Sequence, residues 1–199
     1  NISKEVREKL KQVFSFYKIK MLIKQQGKNV NKYLFELEDG NKIESVLMFH
    51  DYGTSICVSS QVGCNMTCAF CESGRLKKVR NLLAYEIVQQ ILQIEEDINK
   101  RITHVVLMGI GEPFDNYDNL MNFIDIINEP KGIALGSRHI TVSTCGIVPK
   151  IKEFANKMII DKVNRYVIIL HKLDRFISYG VYIGNLTESD YKQSFICFE

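Results

Sequence analysis

The chain has 199 residues, 46% of them hydrophobic and 25% charged, with a formal net charge of +3. This composition excludes extensive disorder, and the length favours one domain with a small attachment. No apolar run approaches the ~18 residues of a membrane helix and no secretory leader is visible, so we expect no membrane partner and a cytoplasmic location. The mild positive charge is compatible with a nucleic-acid partner without requiring one.

The first part of the chain predicts one helix and a small antiparallel β-unit. Residues 3–16 carry apolar side chains at helical spacing, behind a possible N-cap at Ser3. The segment Asp39-Gly40-Asn41 has the composition of a hairpin turn. Three strand-like runs surround this turn, at residues 18–24, 30–37 and 42–49.

From residue 55 onward, strand-like runs alternate with helical patterns, which predicts right-handed βαβ units and a parallel sheet. The predicted strands are residues 55–60, 103–108, 139–144 and 166–170, with a further possible strand at 179–183. The predicted helices are residues 83–98, residues 118–128 and a segment that begins at Pro149. We therefore divide the chain into the end of a helical accessory region (1–17), a small β-unit (18–54), an α/β core (55–171) and a divergent or truncated tail (172–199).

Three of the six cysteines form the most informative motif, with C-x3-C-x2-C spacing at Cys64, Cys68 and Cys71. Three thiolates within eight residues can bind one metal centre. Structural zinc usually takes four ligands in two pairs, and the sequence shows no second pair; the nearest histidine, His50, precedes the strand. A [4Fe–4S] cluster held by three cysteines leaves one iron free for another ligand. The alternative is a set of buried structural cysteines with chance spacing.

This spacing resembles the signature of the radical S-adenosylmethionine (SAM) superfamily. Four segments, in the same order, resemble the dual-specificity ribosomal and transfer RNA adenine-C2 methyltransferases and their relatives that methylate adenine C8. These segments are residues 57–71, 80–82, 106–113 and 139–149, within a resemblance that covers residues 3–158. The resemblance implies a partial (β/α) barrel truncated at its C-terminus, a [4Fe–4S] cluster and SAM as cofactors, ribosomal and transfer RNA as substrates, and an electron donor such as flavodoxin.

The resemblance also implies which residues contact the cofactors. The glycines at positions 109 and 111 follow a strand at the edge where parallel sheets bind ligands, although they could serve the turn alone. The strand-end serine could likewise only cap a turn. The implied cluster ligands are Cys64, Cys68 and Cys71, and the implied SAM contacts are Gly111, Glu112, Ser143 and His171.

Two further residues match catalytic positions of that family. Adenine C2 is not nucleophilic, and the family uses a methyl-carrying cysteine near the C-terminus that adds to the base as a carbon radical. Cys57 corresponds to the cysteine that resolves the resulting crosslink, and Glu44 to the base that removes the C2 proton. Cys57 could instead be a buried strand thiol, and Glu44 a solvent-facing strand residue.

A run of basic residues follows the cysteines, and it predicts either an RNA phosphate contact or an ordinary solvated loop. The run consists of Arg75, Lys77, Lys78 and Arg80.

The end of the chain departs from the family pattern. Ile169 stands where the family has a serine before Leu170 and His171, and the pattern is lost after His171. Cys197 is the one candidate for the methyl-carrying cysteine, but its surroundings do not match, so we leave that role unassigned. We therefore expect that the chain as given does not methylate RNA catalytically. The alternatives are a non-catalytic iron–sulfur or RNA-binding remnant, a C8 methyltransferase and another radical enzyme such as an activating enzyme.

Overall fold

The computed structural model describes residues 3–13, 17–66, 68, 71–160, 166–171 and 178–183 of the chain. The strands are β1 (Lys20–Gln26), β2 (Val30–Glu36), β3 (Lys42–His50), β4 (Gly53–Cys57), β5 (Gln61–Val62), β6 (Arg80–Asn81), β7 (His104–Leu107), β8 (Ile140–Thr144), β9 (Tyr166–His171) and β10 (Ser178–Ile183). The helices are α1 (Lys4–Val13), α2 (Ala84–Ile98), α3 (Tyr117–Asn128) and α4 (Val148–Ile160). Short 3₁₀ turns lie at Glu72–Arg75, Pro113–Asn116 and Ser137–His139.

Eight strands form one sheet in the order β1-β2-β3-β4-β7-β8-β9-β10. The first four pair antiparallel, β4, β7, β8 and β9 pair parallel, and β10 returns antiparallel. Helices α2, α3 and α4 connect successive parallel strands, which confirms the predicted mixed α/β fold. The predicted boundary between residues 54 and 55 falls inside β4, which pairs with the antiparallel β3 on one side and the parallel β7 on the other.

One face of this sheet is covered by helices. A row of opposed residues crosses four neighbouring strands on this face, and each is at most 1% exposed: Leu47, Ile56, Val105 and Ile140. On the same face, the Ser45 hydroxyl donates to the Gln90 Oε1 atom of α2 at 2.7 Å. Burial of aliphatic side chains between sheet and helices is therefore the main source of stability here.

The other face, which we call the open face, carries the alternate row of opposed residues. This row consists of Val46, Cys57, Val106 and Thr141, all of which are partly buried. Because strand side chains alternate between faces, the two rows could not be exchanged without a one-residue slip in register. Side chains of neighbouring strands therefore lie next to one another on the open face, where they can contact the same ligand.

The N-terminal helix and the hairpin turn agree with their sequence patterns. The Val6 amide donates to the Ser3 hydroxyl at 3.3 Å, as an N-cap requires. In the turn after β2, the Asn41 amide donates to the Asp39 carboxylate at 3.1 Å, and Gly40 has a φ of +80°. Among the described residues, no helix combines the length and apolar character that crossing a membrane requires.

The tail that follows residue 171 is described only at β10. The possible strand at 179–183 is confirmed as Ser178–Ile183, paired with β9. Cys197 lies outside the described residues, and the role of the methyl-carrying cysteine stays unassigned.

Candidate active site

The cysteine loop, residues 63–79, connects β5 to β6 and is closed at its base. The Val79 amide donates to the Val62 carbonyl at 2.7 Å. Gly63 has a φ of +72°, and a Cβ atom there would lie 2.1 Å from the Lys77 carbonyl oxygen. Only glycine therefore allows the two ends of the loop to approach this closely.

The three cysteines of this loop are half-buried and lie near one another. Burial raises the pKa of the Cys64 and Cys68 thiols, and the neighbouring Cys71 raises both further. Among the described residues, no three Cys, His, Asp or Glu side chains are arranged to hold a single metal ion. In a [4Fe–4S] cluster each thiolate binds a different iron, so neighbouring thiols that do not converge on a single point are compatible with such a cluster.

The turn after β7 carries two glycines that pack directly against the segment between β4 and β5. A Cβ atom on Gly109 would lie 2.7 Å from the Val58 carbonyl oxygen, and one on Gly111 would lie 2.5 Å from the Gln61 Cβ atom. Gly111 also has a φ of +106°, which disfavours other residues. The geometric role of both glycines is thus confirmed, and contact between Gly111 and a cofactor stays a prediction.

Glu112 is buried where β7 and β8 end, and it joins the loops that follow them. Its Oε1 atom accepts hydrogen bonds from the Phe114 amide at 3.0 Å and the Thr144 hydroxyl at 2.7 Å, and its Oε2 atom accepts one from the Cys145 amide at 2.7 Å. The residue is 4% exposed. These donors stabilise a carboxylate in a buried position, at the sheet edge where ligands bind in parallel α/β folds.

The other residues predicted to contact SAM lie at the same edge of the sheet. Ser143 is buried near the end of β8, on the open face because it lies two residues from Thr141. His171 ends the neighbouring β9, and its side chain lies outside the described residues. Glu112 also raises the pKa of the Cys64 thiol, which places this edge beside the cysteine loop.

Cys145 also lies at this edge. In the sequence, its one indication of a role was its position in residues 139–149, a segment that resembles the family. Its thiol donates to Glu112, and burial together with the Glu112 charge raises the pKa of that thiol. Cys64 and Cys68 raise it further, so they lie within electrostatic reach. Cys145 is thus a fourth thiol near the three predicted cluster ligands. Its hydrogen bond to Glu112 holds it there, and it does not belong to the cysteine loop.

The two predicted catalytic residues share the open face. Cys57 lies opposite Val46 of β3, and Glu44 lies two residues from Val46 on the same face. The Glu44 Oε2 atom accepts from the Lys32 Nζ atom at 2.9 Å, with about half of each side chain exposed. The sheet register therefore places a carboxylate and a thiol on one surface as diagonal neighbours.

We expect Cys57 to resist alkylation near neutral pH in the native chain. Burial raises the pKa of its thiol from 9.0 to about 11, although the Met108 amide partly opposes this shift. At pH 8 its thiolate fraction is then about a hundredfold below that of an ordinary cysteine. Iodoacetamide labelling with peptide mass spectrometry should show slow modification at pH 8 and faster modification towards pH 11. The denatured chain is the control. Equal rates of Cys57 modification in the native and the denatured chain at pH 8 would contradict the raised pKa.

The basic run after the cysteines does not form one continuous exposed patch. The Lys78 Nζ atom lies 2.7 Å from Asp115 Oδ2, and Arg80 donates two hydrogen bonds of 2.8 Å to the buried Glu86. Arg75 and Lys77 remain exposed. Internal carboxylates thus already bind Lys78 and Arg80, and an RNA phosphate contact by this run stays a prediction.

Comparison with known proteins gives one family match. The model of the radical SAM superfamily matches residues 58–194. In the crystal structure of a radical SAM methyltransferase from Sphaerobacter thermophilus, one chain is similar with a TM-score of 0.71 and 38% sequence identity, over 77% of this chain and 47% of that one.

Curated relatives are more similar in sequence. The probable dual-specificity RNA methyltransferase RlmN of Spiroplasma citri is 55% identical over 159 residues, which cover 78% of this chain and 46% of that protein. The protein of the same name from Enterococcus faecalis is 55% identical over 162 residues, covering 78% and 45%. The chain thus spans about half the length of the curated relatives it matches.

Proposed function

Because the chain belongs to the radical SAM superfamily, we propose that it forms part of an RNA methyltransferase that acts on adenine C2. One observation carries this proposal: the open face brings Glu44 and Cys57 together, and that face leads to the edge where Glu112 adjoins the cysteine loop. The resemblance assigns Glu44 as the base and Cys57 as the resolving cysteine of an adenine-C2 methyltransferase, which favours that reaction over another radical enzyme. The names of the similar RNA methyltransferases support the same substrate class.

The residues at the sheet edge hold the cofactors in this proposal. Cys64, Cys68 and Cys71 would bind the cluster, which would supply the electron that makes SAM a radical source. Glu112 would accept from the ammonium group of SAM, since its charge is buried and its position is fixed by hydrogen bonds from Phe114, Thr144 and Cys145. The Ser143 hydroxyl would form a hydrogen bond with SAM beside Glu112, and the glycines of the turn would let the backbone approach SAM closely.

The residues of the open face act on the RNA base. Glu44 removes the proton from adenine C2, and Lys32 holds this carboxylate in place by their 2.9 Å ion pair. The Cys57 thiolate attacks the sulfur of the methyl-carrying cysteine and forms a disulfide with it. The bond between that sulfur and the methylene carbon breaks, and the methylene keeps the electron pair as an enamine of the base and takes up a proton to become the C2 methyl group. With a pKa of about 11, the Cys57 thiol is a weak nucleophile in this state, so a base must take its proton at that step.

The partners follow from this assignment. The substrates are ribosomal and transfer RNA, the reductant is a one-electron donor such as flavodoxin, and the location is cytoplasmic. Arg75 and Lys77 are the exposed cations of the cysteine loop that remain available for phosphate.

A chimera tests this function directly. The aligned segment of the Spiroplasma citri relative is replaced by the matching 159 residues of this chain. After cluster reconstitution, we expect the chimera to convert unmethylated ribosomal and transfer RNA to 2-methyladenosine, detected by nucleoside mass spectrometry. The variants Glu44→Gln and Cys57→Ala should lose this product, whereas Lys42→Gln, on the same strand and face, should retain it.

Two outcomes would overturn the proposal. Formation of 8-methyladenosine would show a C8 enzyme instead. Absence of methylated adenosine, with an intact cluster and an active parent enzyme, would show that this segment is a non-catalytic remnant.

A further inference from the structure

Asp115, in the 3₁₀ turn after Glu112, receives hydrogen bonds from both ends of the cysteine loop. Its Oδ2 atom accepts from Gln61 Nε2 at 3.0 Å, just before the loop, and from Lys78 Nζ at 2.7 Å, at the end of it. The Asn65 side chain, next to Cys64, donates to the same carboxylate. One carboxylate therefore connects the beginning, the interior and the end of the loop that carries the cysteines.

The chemistry of Asp115 suits this connection. Its side chain is 28% exposed and that of Lys78 is 18% exposed, so the ion pair is largely shielded from water. The hydrogen bonds from Lys78, Gln61 and Asn65 lower the pKa of the Asp115 carboxyl against the opposing effect of burial, which keeps it ionised. Hydrogen bonds to an ionised group are stronger than neutral ones and are costly to break when partly buried.

Gln61 extends this connection to the cofactor edge. Its side chain is fully buried, and its Oε1 atom accepts from the Glu112 amide at 2.9 Å. Its Nε2 atom also donates to Asn81 Oδ1 at 2.8 Å, in the strand that follows the loop. The loop and the Glu112 turn are therefore fixed relative to each other through two side chains, Asp115 and Gln61.

We propose that Asp115 is a positioning residue that clamps the cysteine loop in the arrangement that receives the cluster. This inference rests on the proposed cluster site at Cys64, Cys68 and Cys71, but it concerns the loop itself. A flexible loop would have to be ordered each time the cluster assembles, and a preorganised loop avoids that entropic cost. Asp115 acts through the loop and touches no reacting atom.

Two measurements on the full chain test the clamp. In the absence of iron, hydrogen–deuterium exchange of residues 63–79 should accelerate about tenfold in Asp115→Asn, because a charge-assisted hydrogen bond in the clamp is lost. After anaerobic reconstitution, the same variant should contain less iron and sulfide per chain and give a weaker cluster absorption and electron paramagnetic resonance signal. Lys78→Gln, which removes one contact and retains the carboxylate, should shift both readouts in the same direction by a smaller amount.

Asp118→Asn is the matched control, because Asp118 is exposed three residues further along the same segment. It should leave both the loop exchange and the cluster content at wild-type values. If wild-type chain assembles a cluster and Asp115→Asn matches it in exchange and iron content, the clamp is wrong. If wild-type chain binds no cluster, the proposed function fails, and the exchange rates of residues 63–79 still decide whether Asp115 clamps the loop.

Discussion

Replacing Cys68 by Ala is expected to abolish incorporation of the iron–sulfur cluster. Three thiolates are the minimum that hold a [4Fe–4S] cube with one iron left open, and two cannot retain it against competing thiols in solution. Cys68 lies in the middle of the set and within electrostatic reach of Cys64 and Cys71. Iron and sulfide analysis after anaerobic reconstitution should give a stoichiometric cluster in wild-type chain and background values in the variant.

Cys145 provides a demanding control for this experiment. It lies near the same thiols, but its hydrogen bond runs to Glu112. Cys145→Ser keeps a donor for that carboxylate, and we expect it to retain the cluster. Full loss in Cys145→Ser, or a single tightly bound zinc without sulfide in wild-type chain, would contradict the assignment of the three loop cysteines.

Replacing Arg80 by Met is expected to lower the free energy of unfolding by about 3–5 kcal/mol, as removal of one partner from a buried ion pair does. Arg80 donates two hydrogen bonds of 2.8 Å to Glu86, whose side chain is 2% exposed. It also pairs with Asp39 in the turn between β2 and β3. The variant would leave the Glu86 carboxylate buried without its cation. Urea denaturation followed by circular dichroism measures the difference.

The neighbouring Arg75 supplies the control for Arg80. Its ion pair with Glu72 is 80% exposed on both sides, so Arg75→Met should change stability by less than about 0.5 kcal/mol. Combining Arg80→Met with Glu86→Gln should recover part of the loss, because the uncompensated charge disappears. Equal effects of the Arg75 and Arg80 substitutions would show that the ion pair between Arg80 and Glu86 does not stabilise the fold.

The stability deficit of Arg80→Met should depend on pH with a definite sign. In wild-type chain, Arg80 holds the pKa of the Asp39 carboxyl well below its usual range, so this contribution is present above the unfolded pKa and is lost as pH falls through the folded pKa. The loss of this contribution reduces the difference in strong acid, so the deficit should be larger at neutral pH than at about pH 2. A deficit that grows on acidification would contradict this.

The sequence pattern predicted the elements closely because they depend on local interactions. The alternation of Tyr33 and Phe35 and the Asp39-Gly40-Asn41 turn are sufficient for the hairpin of β2 and β3. The apolar run at residues 103–108 predicted β7, because a strand buried in a parallel sheet must be nearly continuous in apolar residues. The strand after Tyr52 begins at Gly53 and ends at Cys57 rather than spanning 55–60, since Ser59 and Ser60 instead hydrogen-bond to other segments.

The residues themselves indicated the site only where they follow one another in the chain, and the family resemblance supplied the positions of Glu44 and Cys57. The spacing of Cys64, Cys68 and Cys71 is visible in eight residues, and Glu112 follows directly on its glycine turn. Asp115 gave no such signal, because its partners Gln61 and Lys78 are 54 and 37 residues away in the sequence. Lys78 was predicted as part of a basic run for the same reason: a sequence shows which charges are adjacent, but not which carboxylate folds against them.

Periodicity, turn residues and ligand spacing are local properties, so the amino-acid sequence was enough to predict the class of fold, the order of the longer strands and helices and the three-cysteine motif. The tertiary structure alone decided which side chains share a surface. Cys57 and Glu44 lie together because the register of β3 against β4 sets Val46 opposite Cys57, and a slip of β3 by one residue would turn Glu44 to the opposite face from Cys57. It also decided that Arg80 and Lys78 bind internal carboxylates, because an ion pair forms only between charges that the fold brings within a few ångströms of each other.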